Sequence, residues 1–365
     1  LQQLSKRNNS REENALTEVS SAPWGNTPDG QDVVLYTLTN ESVVVKIASY
    51  GARLTSVRVA DRTGVLGEAI LGSDDLAPYV SDRKTFMGAI VGRFGNRIAK
   101  GQFSIDGKSF QVPLNDGPNC LHGGPVGFDQ KVWSAAEVPG GVAFTYVSPA
   151  GEMGFPGMLR STVTYTLEGS SLRLDYEAVT DAPTVVNMTN HAYFNLAGDG
   201  GDLAAHTMQL HAERFTPVDD TLIPTGELRP VAGTPLDFRA PKAIGQEIGS
   251  DDEQMRLAGG YDHNWVLTNP ADAAGLRSAA FVADPASGRT LTVLTTEPGI
   301  QFYSGNFLDG SFPARSGGSY TRRAGFCLET QHFPDAPNHP DFATTIVRPG
   351  ETLRSTTIFR FDVTS

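Results

Sequence analysis

Residues that break regular structure recur so often along this chain that no long helix has room to form. Among 365 residues there are 39 glycines and 23 prolines, a share well above the roughly 12 percent these two make up in an average protein. They fall between short runs in which apolar and polar residues alternate, the two-residue period of a half-buried strand. Phe103 to Val112 alternates around Asp106-Gly107, a dipeptide suited to the left-handed backbone of a tight hairpin. Val33 to Leu38 and Val43 to Ile47 predict another hairpin, broken at Asn40-Glu41, and Leu54 to Val59 adds a strand. Val142 to Val147, Leu159 to Leu167 and Leu172 to Val179 extend the pattern, which resumes from Val266 through Phe361. Helix is expected only as one turn over Asp74 to Tyr79 and as a short helix over Ala240 to Met255. The expectation is an all-β chain. No composition break or fixed-period repeat divides it, so residues 23–365 are expected to form one domain behind a polar, disordered leader over residues 1–22.

Charge narrows the partners. The formal net charge is −12 and no lysine or arginine run stands out, which argues against nucleic acid or an acidic lipid surface. No apolar run reaches the roughly 18 residues of a membrane-spanning helix. Cys120 and Cys327 are too few for a disulfide framework and lack zinc-site spacing, so free thiols are expected. The start at Leu1 and the polar leader are compatible with a processed or secreted form, and the compartment stays open. A neutral small molecule fits this profile best.

Five stretches carry chemistry. In Val186 to Gly198, read as a strand, Asn187, Thr189, His191 and Tyr193 share one parity, a face with the composition of a polar pocket; a hydrogen-bonded core histidine is the equal alternative. Gly92-Arg93-Phe94-Gly95-Asn96-Arg97 places two cations and an amide among glycines, either to bind a polar ligand or to brace the loop. Asn119 to Gly124 sets His122 beside two glycines, where backbone approaches a ligand closely. Tyr261 to Trp265 places Asp262 and His263 between aromatic rings, a composition suited to a carbohydrate, with a metal held by that acid and imidazole as the competing reading. Glu329 follows an apolar strand, where an unneeded carboxylate would cost burial energy, and so is a candidate base; His332 and His339 decorate the proline-rich loop beyond.

Taken together, Gly92 to Gly101, Asn119 to Gly124, Thr189 to Gly198, Tyr261 to Trp265, Glu297 to Asn306 and Gly325 to Ala336 resemble the aldose 1-epimerases, also called galactose mutarotases. The likeness spans about Thr27 to Phe361, with Ala192 and Trp265 as small departures beside the chemistry. It implies a large antiparallel β-sandwich with few short helices and an open cleft. It also implies interconversion of the α and β anomers of free aldoses such as D-glucose and D-galactose, with no cofactor and no metal; whether the chain is a monomer or a homodimer stays open. By the family's pattern His191 is the general acid and Glu329 the general base. Asn96, Arg97, His122, Tyr193, Asp262 and Gln301 are the sugar's ligands.

The chemistry of that reaction suits those residue types. Inverting C1 of a pyranose requires removing the anomeric hydroxyl's proton while protonating the ring oxygen. A glutamate near its ordinary value of about 4.3 would be ionised to accept the first proton, and an imidazole near about 6.5 can supply the second. Two rivals stay open at this stage: a glycoside hydrolase using Glu329 with Asp262, and a sugar-binding module without catalysis.

Overall fold

The computed structural model describes residues 17–201 and 203–364. Three sheets carry the fold, and every strand pairing within them is antiparallel. The first is a five-stranded meander running in chain order from Glu18–Asn26 to Leu66–Glu68. The second has nine strands, and Leu353–Val363 lies between Ser171–Thr180 and Arg289–Thr295 at its centre. The third has six, in the order Tyr193–Phe194, Phe326–Gln331, Gly299–Tyr303, Asp262–Leu267, Ala212–Thr216 and Arg229–Pro230.

Burial follows the sequence alternation in the nine-stranded sheet. Along Leu159–Glu168, Leu159, Ser161, Val163, Tyr165 and Leu167 point inward while the residues between them are half or fully exposed. The six-stranded sheet differs: Phe326–Gln331, Gly299–Tyr303 and Asp262–Leu267 are buried at every position. One of its faces, with Phe326, Leu328, Ile300, Phe302 and Trp265, joins the main apolar core. Phe194 meets Phe359 of the nine-stranded sheet there, ring centroids 5.1 Å apart. The other face is polar and carries the site.

The Phe103–Phe110 hairpin forms as its sequence predicts, with Ile105 opposite Lys108 and positive φ at both Asp106 (51°) and Gly107 (79°). Two expectations on helix shift. The first helix is Leu76–Ser81, with Pro78 in its first turn, where the missing N–H has no partner to lose. Within Ala240 to Met255 only a single 3-10 turn, Ile244–Gln246, precedes the helix Glu253–Ala258. Pro241, Gly245 and Gly249 interrupt the earlier part, and Asp252 caps the true start by accepting from the Gln254 N–H at 2.9 Å.

The leader expected over residues 1–22 lies outside the described residues as far as residue 16, but from Glu18 onward the chain is a strand paired with Asp32–Thr39. Its side chains are mostly exposed, and main-chain pairing at a sheet edge holds it in place of burial, which is why its composition resembles a loose tail. Val186 to Gly198 also departs from expectation. It is no continuous strand but a series of two-residue pairings, Thr189–Asn190 with Ile90–Val91 and Tyr193–Phe194 with Phe326 and Cys327. The uniform parity therefore breaks at His191.

Candidate active site

Register on the polar face of the six-stranded sheet delivers the floor of the site. Glu329 pairs with Gln301, which pairs with Asn264; one step along, Tyr193 pairs with Cys327, Cys327 with Tyr303, and Tyr303 with Asp262. Residues directly opposite one another in antiparallel strands share a face, so Tyr193, Tyr303, Asp262 and Glu329 converge. His263, next in sequence to Asp262, necessarily points the other way, where its ring lies edge-on to Trp265 in the core. An Asp262–His263 metal site is thereby excluded by geometry.

The break between Thr189–Asn190 and Tyr193–Phe194 sets His191 above that floor. Its N–H donates to the Ala89 carbonyl and its carbonyl accepts from the Gly88 N–H, both at 2.8 Å. The Asn190 amide donates to the Gly88 carbonyl at 2.9 Å and accepts from the Ala192 N–H at 3.1 Å. Gly88 has φ 70°, and a Cβ there would stand 1.9 Å from the Leu54 carbonyl oxygen, so only glycine permits this approach. Asn187 instead ties down backbone at Gly95 and His332, and neither it nor Thr189 reaches the cavity.

A second wall comes from the Asn96 and His122 loops, both with positive φ. The Asn96 N–H donates to His122 Nδ1 at 3.0 Å, and the His122 N–H donates back to the Asn96 carbonyl at 3.0 Å. The Asn96 side chain accepts from the Arg97 N–H at 2.9 Å, and Arg97 Nε donates to Asp116 Oδ2 at 2.7 Å. The two arginines of this loop separate in role. Arg93 is buried beneath it, donating to the Pro156 and Gly157 carbonyls and to Ser148 Oγ, and braces the fold.

An open-mouthed cavity results, with about 430 Å³ of free space once the solvent at its mouth is counted. His191, Glu329, Asn96, Arg97, His122, Tyr193 and Asp262 all line it. Gln301, beside Glu329 on the same face, is not part of the lining; its Nε2 donates to Asp262 Oδ1 at 2.7 Å and aims that carboxylate. Five lining side chains had no role assigned from the sequence: Lys84, Phe86, Leu121, Tyr303 and Phe307. Phe86 packs edge-on to His122 with centroids 4.6 Å apart, and Phe307, 58% exposed, stacks on Tyr303 at the mouth. Nothing in the local pattern around Phe307 marks it, because a lone exposed aromatic gains meaning only from what stands beside it. His332 pairs with Glu297 at 2.6 Å and His339 with Asp335 at 3.3 Å, both away from the cavity lining.

At the centre His191 Nε2 lies 3.7 Å from Glu329 Oε1, with both side chains buried, and His191 Nδ1 lies 3.5 Å from Cys327 Sγ. Both cysteines are free and buried. Burial drives His191 down to about 4. Burial first, and the charge of Asp262 second, drive Glu329 well above the ordinary carboxylate range. Burial likewise lowers His122, helped by His191 and Arg97, and raises Asp262 against the pull of Arg97 and Gln301. Burial thus opposes charge on both side chains, moving the carboxyl up and the imidazole down from their ordinary values, because water withdrawn from either group penalises its charged form. One carboxylate and two imidazoles, Glu329, His191 and His122, bring their donor atoms within 4.8 Å of one another, the one cluster among the described residues dense enough for a metal.

Comparison with known proteins agrees with this geometry. The chain matches the family described as Aldose 1-epimerase over residues 34–360. It is 43% identical to the galactose mutarotase of Rattus norvegicus over 350 residues, covering 95% of this chain and all of that one. It is 41% identical to the aldose 1-epimerase of Escherichia coli K12 over 339 residues, covering 92% and 96%. The crystal structure of a galactose 1-epimerase from Lactobacillus acidophilus superposes with a TM-score of 0.83 at 29% identity, covering 96% of this chain and all of that one. With the sheets, the cavity and the whole-length match in accord, the chain belongs to the aldose 1-epimerase family.

Proposed function

We propose that the protein is an isomerase that interconverts the α and β anomers of free aldoses, D-galactose and D-glucose among them, with Glu329 as base and His191 as acid. The observation that carries the reading is the 3.7 Å approach of these two buried groups at the wall of an open cavity lined by polar and aromatic side chains. The relatives' names, galactose mutarotase and aldose 1-epimerase, support the same reaction.

The catalytic arrangement, a carboxylate beside an imidazolium, has the same proton count as the neutral pair that burial favours. Moving one proton from Glu329 to His191 reaches it without uptake from solvent. Glu329 then takes the anomeric hydroxyl's proton as His191 protonates the ring oxygen, C1–O5 breaks, and the open aldehyde forms. Rotation about C1–C2 presents the other carbonyl face, and ring closure runs the same transfers backward, returning every proton. Asp262, aimed by Gln301, and the hydrogen-bonding groups of Asn96, Arg97 and Tyr193 hold the hydroxyls.

The cations at the cavity favour a neutral sugar over a phosphorylated one, since Arg97 is paired with Asp116 and Lys84 with Asp309 at 3.0 Å. A hydrolase using Asp262 and Glu329, or a binding module, finds no support in the relatives named above. Polarimetry on freshly dissolved α-D-galactose and α-D-glucose tests the proposal: the protein speeds the approach to equilibrium rotation, and unchanged kinetics with bound sugar would reduce it to a binding protein.

A further inference from the structure

Resting on the function just proposed, we infer that His122 is a locked-tautomer donor: its Nε2 carries a permanent proton into the cavity, so it polarises the sugar oxygen it faces and neither shuttles a proton nor ligates a metal. The lock is the main-chain N–H of Asn96, which donates to His122 Nδ1 at 3.0 Å. A nitrogen that accepts this bond bears no proton of its own, and a neutral imidazole then carries its hydrogen on the other nitrogen.

Three features keep the ring in that state. Asn96 and His122 exchange a reciprocal pair of bonds, N–H to Nδ1 and N–H to carbonyl, so the donor cannot swing away without breaking both. Phe86 packs edge-on against the ring at 4.6 Å and His191 at 5.1 Å, nearly perpendicular, which leaves little room for a flip. Burial, with His191 and Arg97 as neighbours, opposes a second proton. The division of labour between the two histidines follows. His191 has only a thiol 3.5 Å from its Nδ1, a soft partner that can donate or accept, and so can change protonation state. His122 faces a main-chain donor that can do only one thing.

The lock also bears on the cluster of His122, His191 and Glu329, whose donor atoms lie within 4.8 Å of one another. Two imidazoles and a carboxylate are a familiar ligand set for zinc. A metal bound at His122 Nε2 needs the lone pair that the proton occupies, and moving that proton to Nδ1 would set two N–H groups against each other at Asn96. The ligand set is present and its chemistry is withheld.

His122→Gln and His122→Leu separate the possibilities. A glutamine amide can place an N–H near the position of Nε2 but cannot act as acid or base. By polarimetry, His122→Gln should retain kcat within ~10-fold of the parent, while His122→Leu, without a donor, should lose ~10²–10³-fold, as removal of one preorganised donor does. Equal, severe loss in both folded variants overturns the inference in favour of proton transfer by His122. Nitrogen-15 NMR of the unaltered protein at neutral pH should assign the proton to Nε2, and Nδ1–H would overturn it independently of any activity. Stoichiometric Zn2+ inhibition relieved by galactose would overturn it as well. A parent protein that does not accelerate mutarotation would instead defeat the functional reading, with the NMR result still deciding the lock.

Discussion

His191 Nε2 and Glu329 Oε1 stand 3.7 Å apart, both side chains buried, in a cavity whose burial lowers the imidazole to about 4 and raises the carboxyl well above its ordinary range. At this separation a proton on one bears on the other. Their proximity ties the geometry of the site to its pH dependence and to its stability.

Removing one member therefore stops the reaction without harming the fold. Glu329→Gln should lower kcat by at least ~10²-fold, the lower end of what one general base contributes, and His191→Asn should do the same. Near-normal polarimetric rates in the first variant would remove Glu329 from the base role. A large rise in KM with kcat preserved in the second would make His191 a sugar ligand only.

The same glutamine should stabilise. A carboxyl whose folded value lies above its unfolded one resists ionisation in the native state, so above the unfolded value it works against folding. At neutral pH Glu329→Gln removes that penalty, with an expected gain of about 0.5–2 kcal/mol, typical of relieving a functional site of its burden. Thermal or urea unfolding that places the variant well below the parent would contradict the buried, protonated carboxyl.

The rate should stay flat across the ordinary histidine range. The working pair needs one proton. Below about pH 4 His191 gains a second while Glu329 keeps its own, and no base remains. On the alkaline side activity falls only when Glu329, held well above the usual carboxylate range, loses its proton and no acid remains. A kcat/KM profile with its acid limb near 6.5 would mean that His191 titrates as a solvated imidazole.

Gln301 is expected to act through Asp262. Losing the 2.7 Å bond in Gln301→Ala frees a buried carboxylate to move and raises its cost of ionisation. KM should rise several-fold more than kcat falls. A pure kcat effect would place Gln301 at the reacting atoms instead.

Gly123 tests the loop that carries His122. Its φ is 88°, and a Cβ there would sit 1.9 Å from the Gly92 carbonyl oxygen. Gly123→Ala should cost about 3 kcal/mol or more in unfolding free energy, a steric clash on top of a left-handed backbone. Parental stability in that variant would show that the two loops are not in contact.

Local chemistry in the sequence determined a good deal. Breakers between alternating runs dictated strands over helices, because periodicity and turn preference act within a few residues. Polar residues set among glycines or in apolar runs marked His191, Glu329, Asn96, Arg97, His122, Tyr193 and Asp262, all of which line one cavity. Tertiary structure decided the rest. Cross-strand register, set by residues far apart in the chain, put Gln301 beside Asp262 and sent His263 to the core. The main-chain N–H of Asn96, invisible in any side-chain pattern, chose the tautomer of His122. Burial in the folded cavity moved His191 down and Glu329 up from their ordinary values, because the cost of a charge depends on the water it loses, and only the folded cavity sets that loss.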